Sequence, residues 1–305
     1  MHTNGEKRMK EVADCNIERQ NRAAARLTIA DHRRDQAGMT YVYPVLSRRA
    51  RGVSIGINLN QNRACNWACV YCQVENLRRG APDAIDLDLL ENELDSFLRE
   101  AAQGDYLARH VAQARYRRLA DIAFSGEGEP TSAREFAAAA ARVASVLQAH
   151  ALQGQLPLRL ITNGSLIHKS GVRAGLALLA RAGGEAWFKL DRGDAAGMRA
   201  VNRISGDPAR VLENLRACAA LLPTWVQTCW FATEGKAPDE AAEAAYLELL
   251  AQAADVIRGV HLYGLARASK QRGAEKLSRL SAPLLRAWGW RIQQKTGVRA
   301  VKVSP

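Results

Sequence analysis

Residues 53–72, VSIGINLNQNRACNWACVYC, join an apolar segment to three closely spaced cysteines. The first part, VSIGINLN (53–60), has the β-branched and apolar composition of a buried strand. Cys65, Cys69 and Cys72 follow in the spacing C-x3-C-x2-C, although the chain has only six cysteines in all. Because short spacings let one loop surround a compact inorganic group, the segment predicts a metal site beside a strand end.

The remainder of the chain alternates between strand-like and helix-like segments. Predicted strands lie at 53–60, 119–125, 158–164, 186–191, 225–232 and 259–266. Predicted helices lie at 85–102, 133–150, 172–183, 208–222 and 239–254, the last with Asp239 as its cap. This alternation predicts an α/β fold of βαβ units with a parallel sheet and right-handed crossovers. Functional residues are then expected at the carboxyl ends of the strands.

The pattern divides the chain into three parts. Residues 1–38 are polar and predict a weakly ordered N-terminal extension. Residues 39–267 carry the alternating strands and helices and predict one core domain. Residues 268–305 are predicted to be a basic, helical C-terminal tail that contains Trp288 and Trp290.

The charge and hydropathy of the chain indicate which cellular compartment and which partners to expect. The net charge is +12, and residues 258–305 carry eleven Lys and Arg against one acid, Glu275. Such a segment is typical of an RNA or DNA contact, and equally of a solvated surface. No apolar run reaches the roughly 20 residues that span a bilayer, and the N-terminus lacks the apolar core of a secretory signal. We therefore expect a cytoplasmic protein without a membrane partner, in which clustered cysteines are metal ligands or catalytic groups.

The three clustered cysteines favour an iron–sulfur cluster with one open position. Three thiolates leave one iron of a four-iron cube without a protein ligand, and an open metal position is typical of a catalytic site. Zinc would need a fourth ligand, and the nearest histidine after the cluster is His110. A cluster that only carries electrons would use four cysteines, and Cys15, Cys218 or Cys229 would be the candidates for the fourth.

A second motif, IAFSGEGEPT (122–131), ends the second predicted strand. Gly126 and Gly128 permit a close backbone approach to a ligand. Glu129, which is fixed before Pro130, places a carboxylate that can accept hydrogen bonds from a ligand ammonium group. The alternative is an ordinary Gly/Pro turn with solvated glutamates.

Together these motifs resemble the radical S-adenosylmethionine (SAM) superfamily. CNWACVYC, with the aromatic Tyr71 before the last cysteine, is similar to the cysteine signature of that superfamily, and the segment around Glu129 is similar to its Gly-Glu-Pro motif. The resemblance implies a partial (β/α)6 barrel with a [4Fe–4S] cluster on Cys65, Cys69 and Cys72. It also implies that SAM chelates the open iron, that Glu129 binds the SAM amine, and that reductive cleavage yields a 5′-deoxyadenosyl radical. A flavodoxin or ferredoxin is the expected electron donor.

Polar residues at the later strand ends are less distinctive. The resemblance implies contacts with the ribose or carboxylate of SAM for Thr162, Asn163, Lys189 and Asp191, although Asn-Gly is also a common turn pair. Four further strand residues either face a substrate or bond within the core: Gln227, Thr228, His261 and Tyr263.

The order of FSGEGEPT, LITNGSL, KLD, VNR and VHLYGLAR resembles the branch of wyosine-base (tRNA) synthases, and most closely its uncharacterised bacterial members. The archaeal wyosine synthase has extra N-terminal cysteines, whereas only Cys15 lies upstream here, so a second cluster is not expected. The resemblance implies radical chemistry on RNA. The alternatives are the same chemistry on a small metabolite or peptide, or a non-catalytic iron–sulfur or zinc protein that binds nucleic acid.

Overall fold

The computed structural model describes residues 26–29, 37–47 and 50–304. Its strands are, in chain order, β1 (Val42–Ser47), β2 (Gly52–Ile57), β3 (Ala64–Cys65), β4 (Arg78–Arg79), β5 (Leu119–Phe124), β6 (Leu158–Thr162), β7 (Glu185–Lys189), β8 (Thr224–Cys229), β9 (Ala232–Thr233), β10 (Gly259–Tyr263), β11 (Leu277–Ser278) and β12 (Val301–Ser304). The main sheet has eight strands in the order β1-β2-β5-β6-β7-β8-β10-β12. The first pair is antiparallel, and all other neighbours in this sheet are parallel.

The helices cross between these strands. They are α1 (Leu87–Gln103), α2 (Tyr106–His110), α3 (Phe136–Ala149), α4 (Ser170–Arg181), α5 (Ala195–Asn202), α6 (Pro208–Leu221), α7 (Glu240–Ala251) and α8 (Ala282–Thr296). Short 3-10 turns lie at Ala114–Tyr116, Pro130–Ser132 and Ala274–Lys276. The α/β fold with a mostly parallel sheet, curled into a half-barrel, is confirmed, as are the six predicted strands and five predicted helices.

Aspartates begin three of the crossover helices. Asp86, Asp207 and Asp239 each accept a hydrogen bond from a backbone N–H in the first helical turn. Side-chain capping of this kind satisfies N–H groups that have no partner inside the helix. The predicted cap at Asp239 is therefore confirmed.

The C-terminal residues belong to the folded unit rather than to a separate tail. In α8, Leu285, Trp288 and Ile292 are buried in the main core, and Trp288 stacks on Trp230 with ring centroids 4.9 Å apart. β12 pairs in parallel with β10 and forms one edge of the sheet. The prediction of a tail after residue 267 is wrong in this respect, because burial against the sheet supplies stability that the local sequence does not reveal.

Most of the predicted extension, residues 1–38, lies outside the described residues, and Cys15 lies there too. Within the described part, Leu27 is buried and its backbone N–H donates to the carbonyl oxygen of His110 at 2.8 Å. Of the helices that the structure describes, none is both long enough and apolar enough to span a membrane.

Candidate functional site

The cysteine loop, residues 65–72, follows β2 and lies at the carboxyl end of the sheet. Cys65, Cys69 and Cys72 are unbonded to other cysteines and partly buried. The loop turns at its end, where the backbone N–H of Cys72 donates to the Cys69 carbonyl oxygen at 2.9 Å. Burial raises the pKa of the Cys65 and Cys69 thiols to about 12, so binding to a metal is what would deprotonate them.

Asn66 fastens the start of this loop to the end of β6. Its Nδ2 donates to Ser165 Oγ at 2.7 Å, and its Oδ1 accepts from Asn163 Nδ2 at 2.7 Å. The Asn66 carbonyl oxygen also accepts a hydrogen bond from Arg79. The loop is thereby held against a neighbouring strand end that the cysteine motif itself does not include.

Asp191 holds the other end of the loop. Its Oδ2 accepts from Tyr71 Oη at 2.5 Å and from Asn202 Nδ2 at 2.8 Å, and its Oδ1 accepts from the Cys229 backbone N–H at 2.8 Å. Asn202 Nδ2 also lies 3.3 Å from Cys69 Sγ, within hydrogen-bond range of the sulfur. One buried carboxylate therefore positions both the aromatic residue of the motif and an amide that contacts a cysteine.

Backbone contacts add to this support. The N–H groups of Ala68 and Val70 donate to the carbonyl oxygens of Asn202 and Val201 at the end of α5. On the opposite side, the carbonyl oxygen of Cys72 accepts hydrogen bonds from three successive residues after β10. The donors are Ser269 Oγ, the Lys270 backbone N–H and Gln271 Nε2.

Glu129 lies at the end of β5 and is almost completely buried. Its Oε1 accepts from the Thr131 backbone N–H (3.1 Å), Thr131 Oγ1 (2.6 Å) and Thr162 Oγ1 (2.6 Å). Its Oε2 accepts from the Asn163 backbone N–H at 2.6 Å. Burial raises the pKa of Glu129, and the donors from Thr131, Thr162 and Asn163 lower it in part. These donors are neutral, so a buried carboxylate here would gain from a cationic ligand.

The turn that carries Glu129 packs closely on the segment that leads from β2 into the cysteine loop. A Cβ atom at Gly128 would collide with the Ala64 carbonyl oxygen and with the Asn60 side chain. Gly126 has φ +149°, and a Cβ there would collide with Asn58. The sequence predicted that Gly126 and Gly128 let the backbone approach a ligand. In the structure, both glycines let it approach other residues of the chain. Pro130 begins the 3-10 turn that Glu129 caps.

Lys189, at the end of β7, faces the same region. Its Nζ donates to Tyr263 Oη at 2.8 Å and lies 5.1 Å from the ring centroid of Tyr71. Burial lowers the Lys189 pKa, but Tyr263, Asp191 and Cys69 outweigh it, and the pKa is raised. Lys189 therefore supplies a fixed positive charge beside the cysteine loop.

Thr228, His261 and the two buried cysteines outside the loop have different surroundings. Thr228 Oγ1 donates to the Leu190 carbonyl oxygen at 2.9 Å and bonds to Tyr246, so it belongs to the core. His261 packs between Trp187 and Trp225, with ring centroids 4.6 Å away on each side. Both Cys218 and Cys229 are buried, but Cys229 is near the site because its backbone N–H binds Asp191.

The comparison with known families now identifies the fold. The radical SAM superfamily matches residues 59–245, well over half of the chain and the whole region from the cysteine loop to α7. This chain belongs to the radical SAM superfamily. It is an enzyme of that superfamily, whose members use a [4Fe–4S] cluster and SAM.

Solved structures agree with this radical SAM fold at low sequence identity. A radical SAM methyltransferase from Sphaerobacter thermophilus has a TM-score of 0.58 and 13% identity, covering 86% of this chain and 69% of that one. A structure of TYW1 with a lysine-pyruvate adduct bound has a TM-score of 0.53 and 13% identity, covering 81% and 74%. At such identities the likeness shows the fold alone.

One curated protein also matches in part. GTPase Obg from Brachyspira hyodysenteriae (strain ATCC 49526 / WA1) is 28% identical over 138 residues, which are 44% of this chain and 17% of that protein. This chain thus spans about a sixth of the length of the curated relative. The one Gly-Lys pair in the sequence of this chain is Gly235-Lys236, and it is followed by Ala237. The sequence therefore lacks the G-x4-G-K-[ST] motif of phosphate-binding loops.

The cysteine loop of this radical SAM chain fits a cluster better than a single ion. Among the described residues, no three His, Cys, Asp or Glu side chains converge on one metal position. A cube of four irons instead takes its three thiolates on three different irons, and thiolates are its preferred ligands. The donor set of this loop is therefore suited to a [4Fe–4S] cluster.

Sequence reasoning missed the residues that hold the radical SAM motif in place. These are Asn66, Asn202, Ser269 and Gln271, together with the bracing role of Asp191. Asn66 lies inside the quoted cysteine segment and Asn202 inside VNR, so their positions were visible in the sequence. Their partners are far away in the chain, and only the folded structure brings them together.

Proposed function

We propose that Cys65, Cys69 and Cys72 hold the cluster with one iron open, and that Glu129 holds the amino group of SAM beside it. The observation that supports this most strongly is the double role of Asn163. Its backbone N–H binds Glu129 Oε2, while its side chain binds Asn66 in the cysteine loop. The proposed amine site and the proposed cluster site thus share one rigid connection.

When bound, the cluster supplies the electron that cleaves SAM into methionine and a 5′-deoxyadenosyl radical. The chain's own contribution is positioning and charge. Glu129, aligned by Thr131 and Thr162, accepts a hydrogen bond from the ammonium group, since Oε2 has one donor among the described residues and keeps room for another. Lys189 offers its positive charge to a carboxylate of SAM or of the substrate. Thr162, Asn163, Tyr71 and Asp191 act as positioning residues around these groups.

We further propose that the substrate is RNA. The support is the concentration of positive charge in residues 258–305, together with the likeness of the motif order to the tRNA-modifying branch. A small metabolite or a peptide is the competing substrate class. Reduction by a flavodoxin or ferredoxin and a cytoplasmic location stay predictions.

The first experiment tests the cluster and SAM cleavage. The protein is reconstituted anaerobically with iron and sulfide and reduced with dithionite, and 5′-deoxyadenosine is measured by mass spectrometry after SAM is added. Replacing Cys65, Cys69 or Cys72 by Ala should abolish the four-iron EPR signal and the product. Cys218→Ala is the matched control, because Cys218 is buried away from the loop and should leave both unchanged. Stoichiometric zinc without SAM cleavage would contradict the proposal.

The second experiment tests the substrate class. The reduced enzyme is incubated with SAM and with separate RNA, peptide and metabolite fractions of a cell extract. RNA should increase 5′-deoxyadenosine formation, and treatment of that fraction with ribonuclease should remove the increase. If the peptide or metabolite fraction increased 5′-deoxyadenosine formation instead, RNA would be refuted as the substrate. The proposed radical chemistry would still stand.

A further inference from the structure

The outer face of α8 exposes the largest unburied aromatic side chain of the described structure. Trp290 is 65% exposed, whereas Leu285, Trp288 and Ile292 turn the opposite face of the same helix into the core. Its flat ring is therefore open to a partner that can stack on it.

The surroundings of Trp290 are cationic and amide-rich. Arg286 lies one helical turn before it, and Gln293 and Gln294 lie one turn after it, all exposed. Lys295 and Arg299 are exposed at the end of the helix and just beyond. We call the exposed residues Arg286, Trp290, Gln293 and Gln294 on the helix, with Lys295 and Arg299 at its end, the α8 platform.

The positive charge of the α8 platform is not neutralised by its own segment. Residues 276–305 contain seven Lys and Arg and no acid. Within the described residues, Glu243 of the neighbouring helix α7 is paired with Arg291, at 2.7 Å, while Arg286, Lys295 and Arg299 form no ion pair. Three cations therefore remain available to a polyanion.

We propose that the α8 platform docks a single-stranded segment of RNA, with a base stacked on Trp290 and phosphates contacted by Arg286, Lys295 and Arg299. This inference rests on RNA as the proposed substrate and adds the place where it is held. Aromatic stacking combined with a cationic track is how single strands are bound without sequence preference. The two glutamines add amide groups that can reach base edges.

Charge and area argue against other occupants. A second copy of the chain would place an equally positive face against this one, which is repulsive. A membrane would need a broad apolar face, but the exposed large apolar side chains of α8 are only Leu284 and Trp290, six residues apart. A flexible polyanion with flat bases can pair its phosphates with the positive charges and stack one base on the Trp290 ring.

The test is binding of a fluorescein-labelled single-stranded RNA of twelve nucleotides to the full chain, measured by anisotropy without SAM. Trp290→Ala should weaken binding about tenfold, because stacking of one base is lost, and Trp290→Phe should retain most of the affinity. Arg286→Ala should lower the slope of log affinity against log salt by about 0.7, the value for one phosphate contact of a single strand. The matched control is Arg173→Ala, an exposed arginine of α4 that forms no ion pair with another described residue and should change nothing.

Three results would overturn the inference. One is unchanged binding by Trp290→Ala, and another is an equal loss of affinity in the Trp290 and Arg173 variants. The third is a blue shift of tryptophan emission on anionic lipid vesicles that is absent in Trp290→Phe, with no such shift on RNA. Because the assay needs no radical chemistry, RNA docking without SAM cleavage would refute the proposed function alone. SAM cleavage with unaltered RNA binding by Trp290→Ala would refute the docking site alone.

Discussion

Two buried carboxylates at the carboxyl edge of the sheet have different partners. Glu129, after β5, is bonded to Thr131 in its own turn and to Thr162 and Asn163 at the next strand end. Asp191, after β7, is bonded to Tyr71 of the cysteine loop, to Asn202 and to the backbone of Cys229. Equal burial and equal chemistry therefore do not imply equal roles. Among the described residues each carboxylate has one oxygen with a single donor, Oε2 in Glu129 and Oδ1 in Asp191, but of the two only Asp191 bonds a residue of the cysteine loop.

The sharpest test of this contrast removes Asp191. Asp191→Ala should lower the free energy of unfolding by about 3–5 kcal/mol, because two buried donors and the partly buried Tyr71 hydroxyl lose their acceptor and Lys189 loses a compensating charge. Urea unfolding measures the loss. Asp207→Ala, at an exposed helix cap, should cost only about 1 kcal/mol. If the two variants lost similar free energies of unfolding, Asp191 would contribute no more to stability than an ordinary helix cap.

A second variant tests the packing between the Glu129 turn and the segment that leads into the cysteine loop. Gly128→Ala should cost about 3 kcal/mol and reduce the iron bound after reconstitution, because the new methyl group meets the Ala64 carbonyl oxygen. Gly171→Ala, in α4 with nothing within 4 Å of the new methyl group, should be neutral or slightly stabilising. Full iron content in Gly128→Ala would show that the two segments move independently.

A third variant tests Glu129 as a ligand group. Glu129→Gln should weaken SAM binding about 30-fold, equivalent to about 2 kcal/mol for a lost charge-assisted hydrogen bond. Calorimetric titration of SAM into the reconstituted enzyme measures the change, and the iron content should stay full. The exposed Glu213→Gln serves as the control. SAM affinity that is unchanged in Glu129→Gln would leave Glu129 as a turn-capping residue only.

The smallest expected effect concerns Asn202. Asn202→Leu should lower the reduction potential of the cluster by on the order of 40 mV, about 1 kcal/mol for one electron, because a donor to the Cys69 sulfur is lost. Tyr71→Phe is the matched control, since it removes a hydrogen bond to the same Asp191 oxygen and leaves the sulfur contact. EPR-monitored redox titration compares them. Equal shifts of the reduction potential in the two variants would mean that the lost hydrogen bond to Asp191, and not the lost contact with the Cys69 sulfur, changes the potential.

The strands and helices that alternate regularly were predictable, and those at the two ends were not. Six strands and five helices follow from apolar periodicity, which is a local property of the sequence. β1 was missed, although it pairs along its whole length with β2. The four residues of β12 were missed as well, because their stability comes from pairing with β10 and from the cover of α8. Such contacts join distant parts of the chain and leave no periodic pattern.

The sequence by itself determined the chemistry of the site. The spacing of Cys65, Cys69 and Cys72 and the turn at Glu129 are short-range features, and a metal loop or a Gly/Pro turn depends mainly on neighbouring residues. Only the tertiary structure decided that Glu129 bonds to the neighbouring strand end while Asp191 braces the cysteine loop. That distinction depends on which donors reach each carboxylate, and most of the donor residues, Thr162, Asn163, Tyr71 and Cys229, are separated from their carboxylate by 33 to 120 residues of the chain.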